Sequence, residues 1–450
     1  MPTFREALRF WLKLGFINFG GPAGQIAIMH RELVEHRRWI GEQPFLRALN
    51  FCMILPGPEA QQLATYIGWR LHGVRGGLAA GVLFVLPSVF VLLLLSWLAA
   101  AHGDAPIVSG LFYGIQPVVV ALVAEAVLRI GRRAFHHRAL YAFAVGAFVA
   151  LYFFGVPFPA VIAAAALLGL LLDRRWPHVF EPLRSAGSQP APSASSAAVE
   201  DGAGPSQIPP VTRAIRIWAL YLLLWAAPVG ALWLWRGRDD VLVAVALFFT
   251  KAAFVTFGGA YAVLSYISDV AVHHHHWLAA EQMVSGLGLA ESTPGPLIMV
   301  TQYVGFFAGW TNPGALPQES FALAAAAALL TTYVTFLPCF FFIFSLAPYV
   351  EVLASNRYTR AALTAVTAAV VGVIANLGVF FGSRILFPFD GFALFTLPGT
   401  KSQIAFATGL DGFALALCIA SLVALARTRI PMHLVILAGA LLGLFWKLLS

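Results

Sequence analysis

The stretch that decides the fold is LGFINFGGPAGQIAIM at 14–29, where an apolar helical pattern runs into Gly-Gly-Pro. A second stretch, LNFCMILPGPEAQQLATYIG at 49–68, is interrupted by Pro-Gly-Pro. Proline removes a backbone donor and clashes with the preceding helical turn, while glycine removes the steric reason to stay helical. Two such breaks in apolar sequence predict unwound backbone, which a membrane protein tolerates only where it lines an internal cavity.

Both breaks occur twice in the chain. FINFGGP at 16–22 matches FVTFGGA at 254–260, and the Pro-Gly-Pro turn at 56–58 matches the one at 294–296 with the same offset in residue number. The offset changes only at loops, so we interpret the match as an internal duplication. The predicted units are a first repeat at 1–173, a linker at 174–213, an unpaired helix at 214–236 and a second repeat at 237–450.

The composition requires lipid as the main solvent of this chain. Of its 450 residues, 60% are hydrophobic and 11% are charged, whereas soluble domains have about 25% charged residues. This excludes a soluble enzyme, a disordered protein and a disulfide scaffold. The net charge of +8 is typical of the basic cytoplasmic loops of membrane proteins, so we predict no nucleic-acid partner. No motif for a cofactor is present, and Cys52, Cys339 and Cys418 lack metal-ligand spacing.

The charges of the loops predict the orientation. The basic loops at 70–77 and 129–138 indicate the cytoplasm, and the Pro-, Ser- and Ala-rich linker is then cytoplasmic as well. The unpaired helix inverts everything after it, and the matching loops of the second half reverse their charge bias. We therefore predict an all-α polytopic membrane protein with two inverted-topology repeats, about nine full crossings and two re-entrant half-helix pairs per half. The N-terminus is expected inside and the C-terminus outside.

Helix ends at the breaks predict the sign of the ligand. Each break exposes the N-terminus of a half-helix, which carries free N–H groups and about half a positive charge. Lys13 and Lys251 are a matched basic pair, and the alternative is that both extend to the membrane surface. Asn18 and Thr256 either donate to the ligand or bond between helices. The candidate substrate-binding residues are Lys13, Asn18, Gly20, Gly21, Pro56, Gly57, Pro58, Lys251, Thr256, Gly258, Gly259, Pro294, Gly295 and Pro296.

Three carboxylates lie in apolar surroundings and are candidates to carry a coupling proton. Glu59 and Glu291 flank the two Pro-Gly-Pro turns, with helix capping as the alternative. Glu125 has Arg129 one helical turn away, so a local ion pair is its alternative role. The four histidines at 273–276 fall in a predicted outer loop, where we interpret them as exposed residues and expect no metal site.

Four segments carry a resemblance to a known family. They are FGGPAGQIAIM (19–29), PGPEAQQLATYIGWRLHGVRGG (56–77), FGGAYAVL (257–264) and TPGPLIMVTQYVG (293–305). Paired across a linker, they resemble the chromate ion transporter family in its two-domain form. The resemblance implies export of chromate from the cytoplasm, with sulfate as a competing analogue. Two substitutions, Pro22 to Ala260 and Glu59 to Leu297, put equal substrate contact by both halves in doubt.

The expected function is a secondary active transporter of the inner membrane that exports chromate, driven by membrane potential or the proton motive force, and confers chromate resistance. The alternatives are a carrier for sulfate or another oxyanion, and a passive anion channel. An intramembrane enzyme would need a catalytic set such as GxSxG or HExxH, which the sequence lacks. The choice between chromate and sulfate, the coupling ion and the oligomeric state stay open at this point.

Overall fold

A computed structural model describes residues 2–180, 211–257, 259–312, 320–349, 357–387, 393–396, 403–406, 409–428 and 430–449. The first half comprises α1 (Phe4–Ile17), α2 (Gly21–His30) with a π-helical continuation (Arg31–His36), α3 (Glu42–Cys52), α4 (Glu59–His102), α5 (Pro106–Ala134), α6 (Leu140–Tyr152), α7 (Phe158–Arg175) and a 3₁₀ turn (Pro177–Val179). Most of the predicted linker lies outside the described residues.

The remaining elements begin with α8 (Val211–Arg236), the predicted unpaired helix. They continue with α9 (Val241–Phe254), α10 (Ala260–Ser268) with a π-helical continuation (Asp269–His274), α11 (Ala280–Ser292), a 3₁₀ turn (Leu297–Met299), α12 (Val300–Thr311), α13 (Phe321–Leu346), a 3₁₀ turn (Ala347–Tyr349), α14 (Arg357–Leu386), α15 (Gly412–Arg427) and α16 (Met432–Leu449). Two short antiparallel strands, β1 (Ala393–Thr396) and β2 (Gln403–Phe406), pair Ala393 with Phe406 in the long loop after α14, a hairpin that the sequence analysis did not predict.

The prediction of an all-α polytopic membrane protein is confirmed. Among the residues that the structure describes, six helices are long and apolar enough to cross a bilayer: α4, α5, α8, α13, α14 and α16. Of these, α8 is the most exposed. Only 11% of its apolar 18-residue stretch is buried inside the protein, whereas 61% of the corresponding stretch of α13 is buried. The molecule therefore presents α8 to its surroundings and keeps the helices around the breaks inside.

The order of elements in the first half recurs in the second. Helices α1, α2 and α3 correspond to α9, α10 and α11, down to a left-handed residue at Arg38 (φ 53°) and at His276 (φ 52°), which occupy matching positions of the two repeats. Helix α4 bends sharply at His72 and Gly73 into two arms, 59–71 and 74–102, and these correspond to the separate α12 and α13. The two arms of α4 in the first half and the helices α12 and α13 in the second half thus form equivalent hairpins.

The chain turns back at each Gly-Gly break. Trp39, beyond the first break, contacts Phe10 of α1 with ring centroids 5.3 Å apart. Trp277 contacts Phe248 of α9 at 5.8 Å, in the matching position of the second half. A helix that continued straight on would carry Trp39 far beyond α1, because every further residue lengthens a helix along its axis. Each broken segment is therefore a hairpin of two half-helices.

Helices of one half pack closely against helices of the other half at glycine residues. Helix α5 packs against α16, where a Cβ on Gly114 would collide with the Gly439 carbonyl. Reciprocally, α14 packs against α6, where a Cβ on Gly372 would collide with the Ala144 carbonyl. Small residues let membrane helices approach this closely. Helix α5 of the first half is thus covered by α15 and α16, and α14 of the second half is covered by α6 and α7. This packing locks the halves together around their breaks.

Candidate functional site

The two halves meet where their backbones are broken. The Gly57 N–H donates to the Thr256 carbonyl at 2.8 Å, and the Gly295 N–H donates to the Asn18 carbonyl at 3.4 Å. The two donors occupy matching positions of the repeats, and so do the two acceptors, so each contact becomes the other when the halves are exchanged. Such reciprocal contacts are the property of an approximate two-fold axis. The axis passes between the Pro-Gly-Pro turn of one half and the Gly-Gly break of the other.

Each Pro-Gly-Pro turn requires its glycine for two reasons. Gly57 has φ 124° and Gly295 has φ 120°, conformations that side chains with a Cβ rarely adopt. Each glycine also faces a long helix of the other half. A Cβ on Gly57 would lie 3.0 Å from Cys339 Sγ, and a Cβ on Gly295 would lie 2.6 Å from Ser88 Oγ. Both turns are therefore seated in places that leave no room for a side chain.

The Gly-Gly breaks set the start of the next helices. Gly20 and Gly21 have φ 92° and 65°, and α2 begins at Gly21. In the second half Gly259 has φ 96° and α10 begins at Ala260, while Gly258 lies outside the described residues. These positive φ angles let the chain reverse direction within a few residues.

A small cavity lies between the halves at these breaks. Its volume is about 10 Å³, which is room for about one water molecule. Its walls are residues that closely follow all four breaks, so the N-terminal ends of α2, α4, α10 and the 3₁₀ turn that leads into α12 converge on it. The lining residues are Pro22, Gln25, Pro58, Glu59 and Ala60 from the first half, and Gly259, Ala260, Pro296, Leu297 and Ile298 from the second.

The chemistry of this cavity suits an anion. Each helix N-terminus directs amide hydrogens and the positive end of the helix dipole at it. An oxyanion with four oxygens exceeds the space for one water, so the walls must separate before such a ligand can enter. A ligand of that size can therefore reach the cavity only when the junction between the halves opens.

Asn18 and Thr256 are both buried beside the breaks, and both bond to the protein. Asn18 Nδ2 donates to the Phe84 carbonyl at 3.2 Å, which ties α1 to the second arm of α4. The Thr256 hydroxyl donates to the Ala252 carbonyl of its own helix at 2.6 Å. Asn18 Oδ1 has no hydrogen-bond partner in the described part of the chain. Asn18 thus bonds between helices in this conformation, whereas the Thr256 hydroxyl bonds to the helix that directly precedes it.

Glu59 is the carboxylate that lines the cavity. It occupies the first position of α4, directly after Pro58. Its counterpart in the second half is Leu297, which lines the opposite wall. Arg133 of α5 is close enough to act electrostatically on Glu59. One wall can thus carry a negative charge that the other cannot.

Glu291 lies behind the first Gly-Gly break rather than in the cavity wall. It is 3% exposed and accepts a hydrogen bond from the Tyr261 hydroxyl through Oε1. Its Oε2 has no partner among the residues that the structure describes, and a Cβ on Gly21 would lie 4.0 Å from it. The free oxygen of a buried carboxylate therefore faces the N-terminus of α2, where negative charge is favoured.

Glu125 forms the local ion pair that the sequence offered as an alternative. Its Oε2 lies 3.3 Å from Arg129 Nε, one turn further along α5. Both residues of the pair are close enough to act electrostatically on Glu291. Glu125 is thus a neighbour of the buried carboxylate of Glu291, and it does not line the cavity.

The two matched lysines point away from the cavity. Lys13 lies on the exposed side of α1 and Lys251 on the exposed side of α9. Neither ammonium group has a hydrogen-bond or salt-bridge partner in the described ranges. This placement favours extension to the membrane surface over direct contact with a ligand in the cavity.

The histidine run at 273–276 is exposed as predicted, but the predicted loop begins later, because His273 and His274 belong to the π-helical continuation of α10. His275 stacks on the buried Trp277 with ring centroids 4.4 Å apart. Within the described ranges, no group of three His, Cys, Asp or Glu side chains is placed to hold a metal ion.

Sequence reasoning missed two residues at this site, Gln25 and Tyr261. Gln25 is fully buried in the cavity wall, and Tyr261 holds Glu291. Their counterparts are the apolar residues Val263 and Ala23. A polar residue in one half that faces an apolar residue at the matched position of the other half was the available signal.

Comparisons with known proteins agree with these observations. A family described as "Chromate transporter" matches residues 5–170 and 243–444. The chain is 31% identical to the chromate transport protein of Pseudomonas aeruginosa over 384 residues, which are 83% of this chain and 79% of that protein. It is 27% identical to the chromate transport protein of Cupriavidus metallidurans, over 85% of this chain and 83% of that protein. It is also 27% identical to a probable chromate transport protein of Synechococcus elongatus, over 85% and 86%. No solved structure matches the chain.

Proposed function

The chain belongs to the chromate transporter family, and from that premise we propose that it is a secondary active transporter that exports chromate from the cytoplasm. The observation that carries the proposal is the cavity between the halves, where four helix N-termini converge. Helix N-termini bind oxyanions through backbone amides and the helix dipole. Two halves related by exchange around such a site suit a carrier that opens to either side in turn.

The proposed substrate-contacting groups are the backbone amides at the four breaks. They belong to Gly20, Gly21 and Gly57 in the first half and to Gly258, Gly259 and Gly295 in the second. The Gly57 and Gly295 amides donate across the junction in this conformation, so they reach a ligand only once the junction has opened. Pro56, Pro58, Pro294 and Pro296 shape the turns, and Asn18 and Thr256 support the breaks from behind. Lys13 and Lys251 lie outside the cavity, so we expect them to contribute only long-range attraction.

The direction of transport follows from charge. Moving one charge through 100 mV is worth about 2.3 kcal/mol, so a dianion that leaves a cell with a negative interior gains roughly 4.6 kcal/mol. Export therefore needs no coupled ion, whereas uptake would have to overcome the same amount. A proton moving the other way is an optional addition. Glu59 in the cavity wall and Glu291 behind Gly21 are the proposed carriers of that proton.

The proposed orientation is an inner-membrane protein with inverted repeats, an inside N-terminus and an outside C-terminus. Helix α8 has no counterpart, so it supplies the odd crossing that inversion requires. Reporter fusions within 181–210 should therefore read cytoplasmic, and fusions after residue 448 should read periplasmic. A cytoplasmic C-terminus would contradict the inversion.

Everted membrane vesicles test the transport proposal. With an imposed potential, positive inside the vesicle, they should accumulate chromate, and dissipating the potential should abolish accumulation. Excess sulfate should compete if the site recognises the tetrahedral dianion by charge and shape alone. Saturable flux with counterflow in liposomes supports a carrier, whereas non-saturable flux without counterflow would indicate a channel. Accumulation that persists against a gradient at zero potential and zero pH difference would overturn the mechanism.

A further inference from the structure

Gln25 ties the two halves together at the cavity. Its Nε2 donates to the Asn18 carbonyl at 3.0 Å and to the Gly295 carbonyl at 2.6 Å. Asn18 ends the broken helix of the first half, and Gly295 is the centre of the Pro-Gly-Pro turn of the second. Both amide hydrogens of one buried side chain are therefore spent on two backbone oxygens that belong to different halves.

The second half has no equivalent of this tie. The residue at the matching position is Val263, which is buried but cannot hydrogen-bond. The reciprocal junction relies on the shorter Gly57–Thr256 bond of 2.8 Å, whereas the junction next to Gln25 has a backbone bond of 3.4 Å. The side chain thus reinforces the weaker of two otherwise matched junctions. The Gln25 Oε1 atom has no hydrogen-bond partner within the described residues.

The geometry points to Gln25 as a binding residue that couples oxyanion entry to separation of the halves, an inference that rests on the proposed function. Gln25 lines a cavity with room for about one water, so an oxyanion requires the junction to open. Rotation of the amide toward the ligand presents Nε2 to an oxyanion oxygen. The same rotation withdraws both hydrogen bonds from Asn18 and Gly295. Both N–H groups of Nε2 can donate to oxyanion oxygens, and a hydrogen bond to an ionised acceptor is about twice as strong as one between neutral groups. The exchange of two neutral hydrogen bonds for two charge-assisted ones is therefore favoured when a dianion is bound.

Transport kinetics in liposomes test the binding part. Gln25→Val gives the wall the residue of the other half, and it should raise the chromate KM about tenfold, the loss expected for one hydrogen bond to a charged group. Gln25→Asn should recover part of this affinity because the amide is kept. The matched variant Val263→Gln leaves Gln25 in place and adds a second tie, so it should lower the maximal rate while the KM changes less.

Thiol labelling tests the tie itself by a readout other than transport. Cys339 is buried against Gly57 across the junction, so it reports separation of the halves. In a Cys52→Ala, Cys418→Ala background, a maleimide should label Cys339 slowly, and sulfate, which does not oxidise thiols, should speed the labelling. Gln25→Val should label fast without sulfate, while Val263→Gln should stay slow even with it.

The outcomes separate the two claims. If the unsubstituted protein moves neither chromate nor sulfate, the proposed function fails. If it transports, but Gln25→Val changes neither the KM nor the labelling rate, the assignment of Gln25 is wrong. If the Gln25→Val protein does not assemble, Val263→Gln provides the test. A maximal rate and a labelling rate that both stay unchanged in Val263→Gln would also overturn the assignment of Gln25 as a tie between the halves.

Discussion

The two halves share a backbone and differ in their polar side chains. Gly57 and Gly295 have φ angles within a few degrees of each other, and each donates to the other half's broken helix. Yet Glu59 faces Leu297 across the cavity, and Gln25 has Val263 as its counterpart. Duplication thus preserves the frame of the site, while the groups that can ionise or donate occur once.

This difference assigns separate tasks to backbone and side chains. The symmetric frame gives each junction a matched junction in the other half. A carboxylate present in one half only makes the charge of the two cavity walls unequal. The second half contributes its own unmatched pair, Tyr261 and Glu291, at the N-terminus of α2 in the first half. Each half therefore supplies ionisable chemistry to the break of the other or to the cavity they share.

The largest expected effect comes from disturbing the shared frame. Gly57→Ala and Gly295→Ala should each abolish flux, because a Cβ would lie 2.7 Å from Gln62 Nε2 or 2.6 Å from Ser88 and the φ angles are strained for alanine. Such strain costs about 1–3 kcal/mol. Gly146→Ala in α6, where no atom lies within 4 Å of the new Cβ, is the matched control and should transport normally. If one of the two turn variants kept the flux of the unsubstituted protein while the other lost it, the two turns would not be equivalent.

The next effect concerns the buried carboxylate of Glu291, whose matching position in the first half is occupied by Met53. Glu291→Gln keeps an acceptor for Tyr261 but cannot ionise, so flux should fall roughly tenfold, comparable to one hydrogen bond to a charged group, and lose its dependence on pH. The measurement is chromate flux in liposomes over a series of pH values. Met53 occupies the position of the first half that matches Glu291, and it is exposed. Met53→Gln is therefore the control and should leave the pH profile of flux unchanged. An unchanged pH profile in Glu291→Gln would remove Glu291 from proton coupling.

A smaller effect is expected where the cavity walls differ. Glu59→Leu makes the two walls alike and removes a negative charge, so the chromate KM should fall several-fold while coupling to protons is lost. Leu297→Glu adds a second carboxylate and should raise the KM, because like charges repel in a poorly solvated site. Initial rates over a range of chromate concentrations check both variants. A higher KM in Glu59→Leu would mean that this carboxylate aids binding.

The smallest effect is expected at the exposed lysines. Lys13→Ala and Lys251→Ala should each change flux by less than about twofold, in line with the small contribution of exposed charges. Arg5→Ala and Arg9→Ala on the same helix as Lys13 are the controls. If both lysine variants lose more flux than both arginine variants, at equal protein content in the membrane, the lysines take part in substrate binding.

Much of the fold could be predicted because its signals are local. Proline and glycine act on their own turn of helix, so the breaks at 20–22 and 56–58 can be located without any neighbour. The bend at Gly73 and the swapped packing of α5 against α16 could not, since they depend on which glycine faces which helix. The duplication was visible because both copies kept these same local signals.

The sequence by itself determined the membrane class, the repeat and the helix N-termini that favour an anion, because composition and backbone chemistry suffice for these. Only the tertiary structure decided which side chains lie at the cavity and its breaks. Gln25 reaches Gly295 in the other half of the chain, and Glu291 reaches the N-terminus of α2 from the second half. Lys13 and Lys251 matched in sequence, yet the helix rotation set by packing turned them outward. Contacts of this range follow from how the halves dock, which no local pattern encodes.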